Sequence, residues 1–149
     1  MKSTRPLLII LTLISVIGIS LGTYTFFHRA ATEHVYVYNC GLVDFKPTSL
    51  TQFCADTGAG VRDIKWVTWS ESGASGTGQY AINLCEPNCA AGKWKFADVK
   101  VRLSKSVHDQ NKIVLSHVDI VSINGKSLPQ STSPKLGWDL ERTPLSSVK

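Results

Sequence analysis

The hydrophobic pattern divides the chain into two unlike parts. Residues 7–27 form a run of 21 without a charge, rich in Leu and Ile from Leu7 to Leu21. About 20 apolar residues at helical rise span a hydrocarbon core of roughly 30 Å, so this run predicts a transmembrane helix or uncleaved signal anchor. Tyr24, Phe26 and Phe27 close it, where aromatic side chains favour the membrane interface. Beyond it the apolar residues recur with period two. His34–Tyr38 is β-branched and aromatic, and Gln79–Leu84 places Tyr80, Ile82 and Leu84 on one face.

Further strands are predicted at Ser49–Cys54, Val61–Trp69, Lys93–Leu103 and Lys112–Ile123. In Val61–Trp69 the apolar positions Ile64, Trp66, Val67 and Trp69 fall on both faces, which requires two-sided burial or a bulge. In Lys93–Leu103 the alternation slips by one residue near Ala97-Asp98, again predicting a bulge. Ser70–Gly78 is rich in Ser and Gly without an apolar period and reads as a loop. Asn124-Gly125 favours a type I′ hairpin turn, with Lys126–Leu128 returning as a short edge.

The expected fold class is therefore all-β: a small antiparallel β-sandwich of six to seven strands, Ig-like or barrel-like, preceded by one N-terminal transmembrane helix. The expected organisation is a cytoplasmic N-terminus at 1–6, a membrane segment at 7–27, an exported β-sandwich domain at 34–128 and a flexible Pro- and Ser-rich tail at 129–149. Trp138 and Leu140 in that tail are apolar enough to dock on the domain or on a partner.

Charge sharpens the topology. The chain carries 16 Lys+Arg against 11 Asp+Glu, a net +5. Three of the basic residues, Lys2, Arg5 and Arg29, flank the apolar run, so the remainder has 13 against 11 and is only +2. By the positive-inside rule the N-terminus stays in the cytoplasm and the rest is exported. Cleavage after Gly22, with Ser20 and Gly22 at the −3 and −1 positions, would instead release a secreted effector. A near-neutral remainder without a recognition motif does not point to nucleic acid. Hydrophobic residues at 43% exclude a wholly disordered chain.

The four cysteines, Cys40, Cys54, Cys85 and Cys89, all fall on the exported side, where the environment is oxidising. Three pairings are open, and nearest neighbours give Cys40–Cys54 and Cys85–Cys89. Zinc is disfavoured because only one pair is closely spaced.

Several segments together carry a resemblance: Lys46-Pro47-Thr48-Ser49, Cys54-Ala55-Asp56, Ile64–Trp69, Ala74-Ser75-Gly76-Thr77-Gly78 and Asn83-Leu84-Cys85-Glu86-Pro87-Asn88-Cys89-Ala90-Ala91-Gly92, followed by the alternating Val99–Leu103. Over residues 40–125 the chain resembles a family of small secreted or exported proteins of unknown function from high-G+C Gram-positive bacteria. The resemblance implies export and a compact disulfide-bonded β domain. It supplies no catalytic or ligand residues.

Candidate chemistry is sparse. His117 and Asp119 share a strand face, and Ser104, Ser106 and Ser116 supply hydroxyls, which is the material for a small extracytoplasmic hydrolase. No nucleophile-elbow motif accompanies them, and the reading leans away from an enzyme. No metal or cofactor set stands out. The candidate binding surface is Trp66 and Trp69, which lie three apart and so face opposite ways on a regular strand, with Lys93, Lys95, Lys100 and Arg102, although large aromatics mostly supply buried area and core packing is the favoured role for both tryptophans. Residues 93–112 carry six basic and two acidic residues, matching an anionic envelope polymer, although alternating Lys and Val also describes an ordinary half-exposed strand. The expected partners are thus the membrane, through residues 7–27, and an anionic polymer or protein ligand of the cell envelope. The expected role is a binding or structural module.

Overall fold

A computed structural model describes residues 5–32, 34–109 and 111–140. They fall into two compact units, one N-terminal and one starting at His34. The first holds a single helix, α1, Arg5–Thr32. Within it Ser20 Oγ donates to the Val16 carbonyl at 2.8 Å and Thr23 Oγ1 to the Ile19 carbonyl at 2.6 Å, so these hydroxyls are satisfied by the helix's own backbone. Among the described residues no helix is long and apolar enough to cross a membrane, so the expected transmembrane span rests on the sequence.

The second unit is a single sheet of eight strands: β1 Val35–Asn39, β2 Leu42–Asp44, β3 Leu50–Thr51, β4 Ala59–Ser70, β5 Gly73–Asn83, β6 Trp94–Asp109, β7 Lys112–Ser122 and β8 Lys135–Asp139. The order is β2-β1-β7-β6-β5-β4-β3, with β8 also on β7. The expected two-layer sandwich is thus replaced by one sheet, and the expected all-antiparallel pairing by a mixed one. Strand β1 runs parallel to β7 at Val35–Val37 against Ile113–Leu115, while β8 takes the same edge of β7 further along, at His117–Val121.

One sheet can enclose a core only by coiling, and the contacts between its ends show that it does. Trp69 on β4 donates its indole N–H to the Val35 carbonyl on β1 at 2.9 Å, although β5, β6 and β7 lie between them in the sheet. Asn39 at the end of β1 donates to the Ser49 carbonyl and accepts from the Thr51 N–H of β3. The Cys40–Cys54 disulfide bridges the same two ends. No ladder of backbone hydrogen bonds joins β2 to β3 among the described residues, so the sheet is stapled by side chains rather than closed. Inside it Val35, Val37, Val61, Val99, Val101, Leu103, Val118 and Ile120 are all but completely buried. The second disulfide, Cys85–Cys89, is also formed.

Four local expectations change. Ser70–Gly78 is not a loop: a tight turn at Ser70–Gly73 leads straight into β5. Gly76 answers crowding, since a Cβ there would lie 2.5 Å from the Lys65 carbonyl oxygen, while Gly73 in the turn takes a φ of 143°. β6 has no bulge near Ala97-Asp98; its register to β5 is unbroken from Trp94 to Leu103. The apparent slip arises because Trp94 and Phe96 lie on the outer face, 45% exposed each, opposite to Val99, Val101 and Leu103. The bulges are in β4, between Arg62 and Lys65 and between Trp66 and Thr68.

The tail expected at 129–149 is partly sheet. Lys135–Asp139 form β8, Trp138 packs against the core and Leu140 is buried. The return after Asn124-Gly125 is not a strand at Lys126–Leu128; Leu128 plugs the core and the pairing partner of β7 comes later, as β8. Residues 141–149 and 1–4 lie outside the described part.

Candidate functional site

The period of two sorts β5 to β8 into a buried face and an outer face. On the outer face the register sets two rungs side by side. Thr77, Lys100, Val121 and Lys135 make one, and Ser75, Arg102, Asp119 and Gly137 the next. These residues, with Val67 from the β4 bulge, line a groove of about 700 Å³. The bulge matters here: it turns Val67 outward, 79% exposed, on the side of the groove farthest from β8.

Three cations enter the groove: Lys100, Arg102 and Lys135. Strands about 4.8 Å apart place Lys100 and Lys135 on the order of 10 Å from each other, across Val121. Among the described residues none of the three takes part in an ion pair, whereas Lys105 and Arg62 do. Asp119 sits directly opposite Arg102 in register, yet its carboxylate leans the other way. A Cβ on Gly137 would lie 2.6 Å from Asp119 Oδ1, so the bare Gly137 backbone is what lets the carboxylate lie across β8.

Asp119 ends a chain of polar side chains that runs through His117 and Asp139 to Lys105. Its Oδ1 is 3.5 Å from His117 Nε2; His117 Nδ1 is 2.5 Å from Asp139 Oδ1; Asp139 Oδ1 accepts from Lys105 Nζ at 2.8 Å. Strict alternation would turn Lys105 inward. A positive φ of 58° at this residue breaks the alternation of β6 and brings the ammonium onto the outer face. Hydrogen bonds from Lys105 and then from His117 hold the Asp139 carboxyl below the usual carboxylate range. The sign follows: a depressed folded-state pKa stabilises the fold above the ordinary carboxylate pKa, and the contribution is lost as pH falls through the folded value. Asp139→Asn is therefore expected to lower the urea midpoint modestly at pH 7, with the deficit shrinking as pH falls through the depressed folded-state value. A deficit that does not change with pH would show that Asp139 acts by shape and not by charge.

The same geometry weighs against nucleophilic catalysis. Ser104 is the register neighbour of His117, but each imidazole nitrogen already faces a carboxylate, and among the described residues no serine hydroxyl bonds to the ring. Ser106 Oγ donates to the Glu71 carbonyl and Ser116 Oγ to the Lys105 carbonyl. Among the described residues no cluster of three or more His, Cys, Asp or Glu could hold a metal ion.

Of the candidate binding residues, Lys100 and Arg102 come together in the groove. Lys93, just before β6, and Lys95, near its start, do not line it. Trp66 and Trp69 are not an exposed platform, and they do not face opposite ways. The bulge between Trp66 and Thr68 turns both inward, with ring centroids 5.0 Å apart. Trp69 is buried, and Trp66 donates its N–H to the Pro47 carbonyl at 2.8 Å. The groove residues that sequence reasoning missed are Val67, Thr77, Lys135 and Gly137. Lys135-Leu136-Gly137-Trp138-Asp139 does alternate, but its Pro- and Ser-rich surroundings read as a tail.

Comparison with family models, curated proteins and solved structures returns no match.

Proposed function

We propose that this chain is an exported, disulfide-stabilised β module held at the membrane through residues 7–27, and that it binds an anionic component of the cell envelope in the groove between Val67 and Lys135. The observation that carries the binding role is the placement of Lys100, Arg102 and Lys135 in one groove without ion-pair partners among the described residues. Unpaired cations in a walled site focus the local field on an anionic ligand.

Support for the compartment comes from the uncharged run, the basic residues before it and the two disulfides, which form and persist in oxidising surroundings. The described apolar side chains of α1, among them Leu13, Ile14, Val16 and Ile19, stand exposed around the helix, and a lipid environment would cover them. The resemblance to small exported proteins agrees with this.

The test is retention on purified envelopes. The full-length protein is expected in the membrane fraction, with its C-terminal unit cut by protease added outside the cell. Replacing Lys100, Arg102 and Lys135 together by Gln is expected to lower envelope binding by about tenfold or more, since charge-assisted contacts contribute roughly 1.5–3 kcal/mol each in favourable settings. Sedimentation with the cytosol, or unchanged retention of the triple variant, sinks the reading. A mature N-terminus at Thr23 would move the protein from anchored to secreted and leave the groove as its site.

A further inference from the structure

We infer that the groove takes an acidic glycan, with a sugar carboxylate on the Lys100, Arg102 and Lys135 side and ring hydroxyls on Asp119 and Thr77. The inference rests on the groove being the binding site.

Cations alone would suit any polyanion, and Asp119 is what narrows the class. Its carboxylate lies inside the groove, half exposed, within two strands of all three cations. A run of phosphodiesters would meet it at each repeat and be repelled. A glycan alternates anionic groups with hydroxyls, and hydroxyls donate to a carboxylate. The position of Asp119 is built. Lys105, Asp139 and His117 form the chain that ends on it, at 2.8, 2.5 and 3.5 Å in turn. Gly137 keeps the floor beneath it free of a side chain. Between the polar groups the exposed Val67 and the half-buried Val121 offer apolar surface for the C–H faces of sugar rings. Arg102, opposite Asp119 but without an ion pair among the described residues, can grip a carboxylate in the two-pronged manner its guanidinium favours.

The test uses full-length protein in detergent and four probes: polygalacturonate, its fully methyl-esterified form, inorganic polyphosphate and poly(dT). Polygalacturonate is expected to bind, and the neutral ester about tenfold more weakly. Arg102→Gln should weaken polygalacturonate by about tenfold, the equivalent of one lost charge-assisted hydrogen bond. Asp119→Ala is the discriminating variant: it should weaken polygalacturonate severalfold and tighten polyphosphate. Near-UV circular dichroism checks that both variants fold, and Lys100→Gln, an exposed change on the same rung as Lys135, repeats the Arg102 comparison. Preference for polyphosphate or poly(dT), or tighter binding of every probe by Asp119→Ala, overturns the inference. If no acidic glycan binds while envelope retention still depends on the three cations, the inference falls and the proposed function stands. If envelope retention ignores the cations, both fall.

Discussion

Trp69→Ala is expected to cost about 3–5 kcal/mol of stability, the range for removing a large aromatic side chain from a core. For a domain whose whole stability is roughly 5–15 kcal/mol, that is a substantial part of the total. Trp69 is 5% exposed, its ring meets Trp66 at 5.0 Å and Phe45 at 6.0 Å edge-on, and its N–H is bound to the Val35 carbonyl. The side chain therefore fills the core and ties β4 to β1 across the gap that backbone pairing leaves open. Trp69→Phe should keep much of the packing and leave the Val35 carbonyl without its partner, at about 1–3 kcal/mol. Val67→Ala, two residues away but 79% exposed, should stay within about 0.5 kcal/mol of the parent. Equilibrium urea unfolding of the three variants measures this. A Trp69→Ala loss no larger than that of Val67→Ala would mean the sheet is not held coiled by this contact.

Removing the Cys40–Cys54 bridge as a Ser pair is expected to cost about 3 kcal/mol, from the closure entropy of a 15-residue loop in the unfolded chain. The same relation gives about 2 kcal/mol for the five-residue Cys85–Cys89 loop. Native geometry should widen the difference. Cys40–Cys54 joins the two ends of the sheet beside Asn39, while Cys85–Cys89 tightens a connection between consecutive strands β5 and β6. Only loss of the first should also loosen amide protection in β3 and at the end of β1, read by hydrogen exchange. If both pairs cost the same and leave protection unchanged, the ends of the sheet are held by Asn39 and Trp69 without help from the disulfide.

The strands that were legible in the sequence are those whose two faces meet different solvents. β1, most of β4, the end of β5 and β7 show their period because one side meets the core and the other water. β5 was half hidden because its inward positions Gly76 and Gly78 are small where β4 bulges over them, and small residues read as a loop. β8 was hidden because its pairing is with β7, and nothing in its own neighbourhood announces partners 14 to 22 residues upstream, from Val121 opposite Lys135 to His117 opposite Asp139. In β6 the period was visible but misread: Trp94 and Phe96 look like core residues and are not.

The candidate site was half legible for the same reason. Lys100 and Arg102 follow from alternation within one strand, and His117 and Asp119 from alternation within the next. What joins them to Lys135, Gly137 and Val67 is register between strands and a bulge, neither of which a single strand encodes.

By itself, then, the sequence determined the β character of residues after 34, the uncharged run at 7–27, and a pool of cations on outward positions of β6. These are local properties, set by period and side-chain chemistry. Tertiary structure alone decided that one sheet coils instead of two packing, that β8 belongs to it, and that Asp119 turns away from Arg102 over a bare glycine and leaves three cations in one groove with no ion pair among the described residues. Those depend on which strands pair and at what register, and the contacts that select a register lie between residues far apart in the chain.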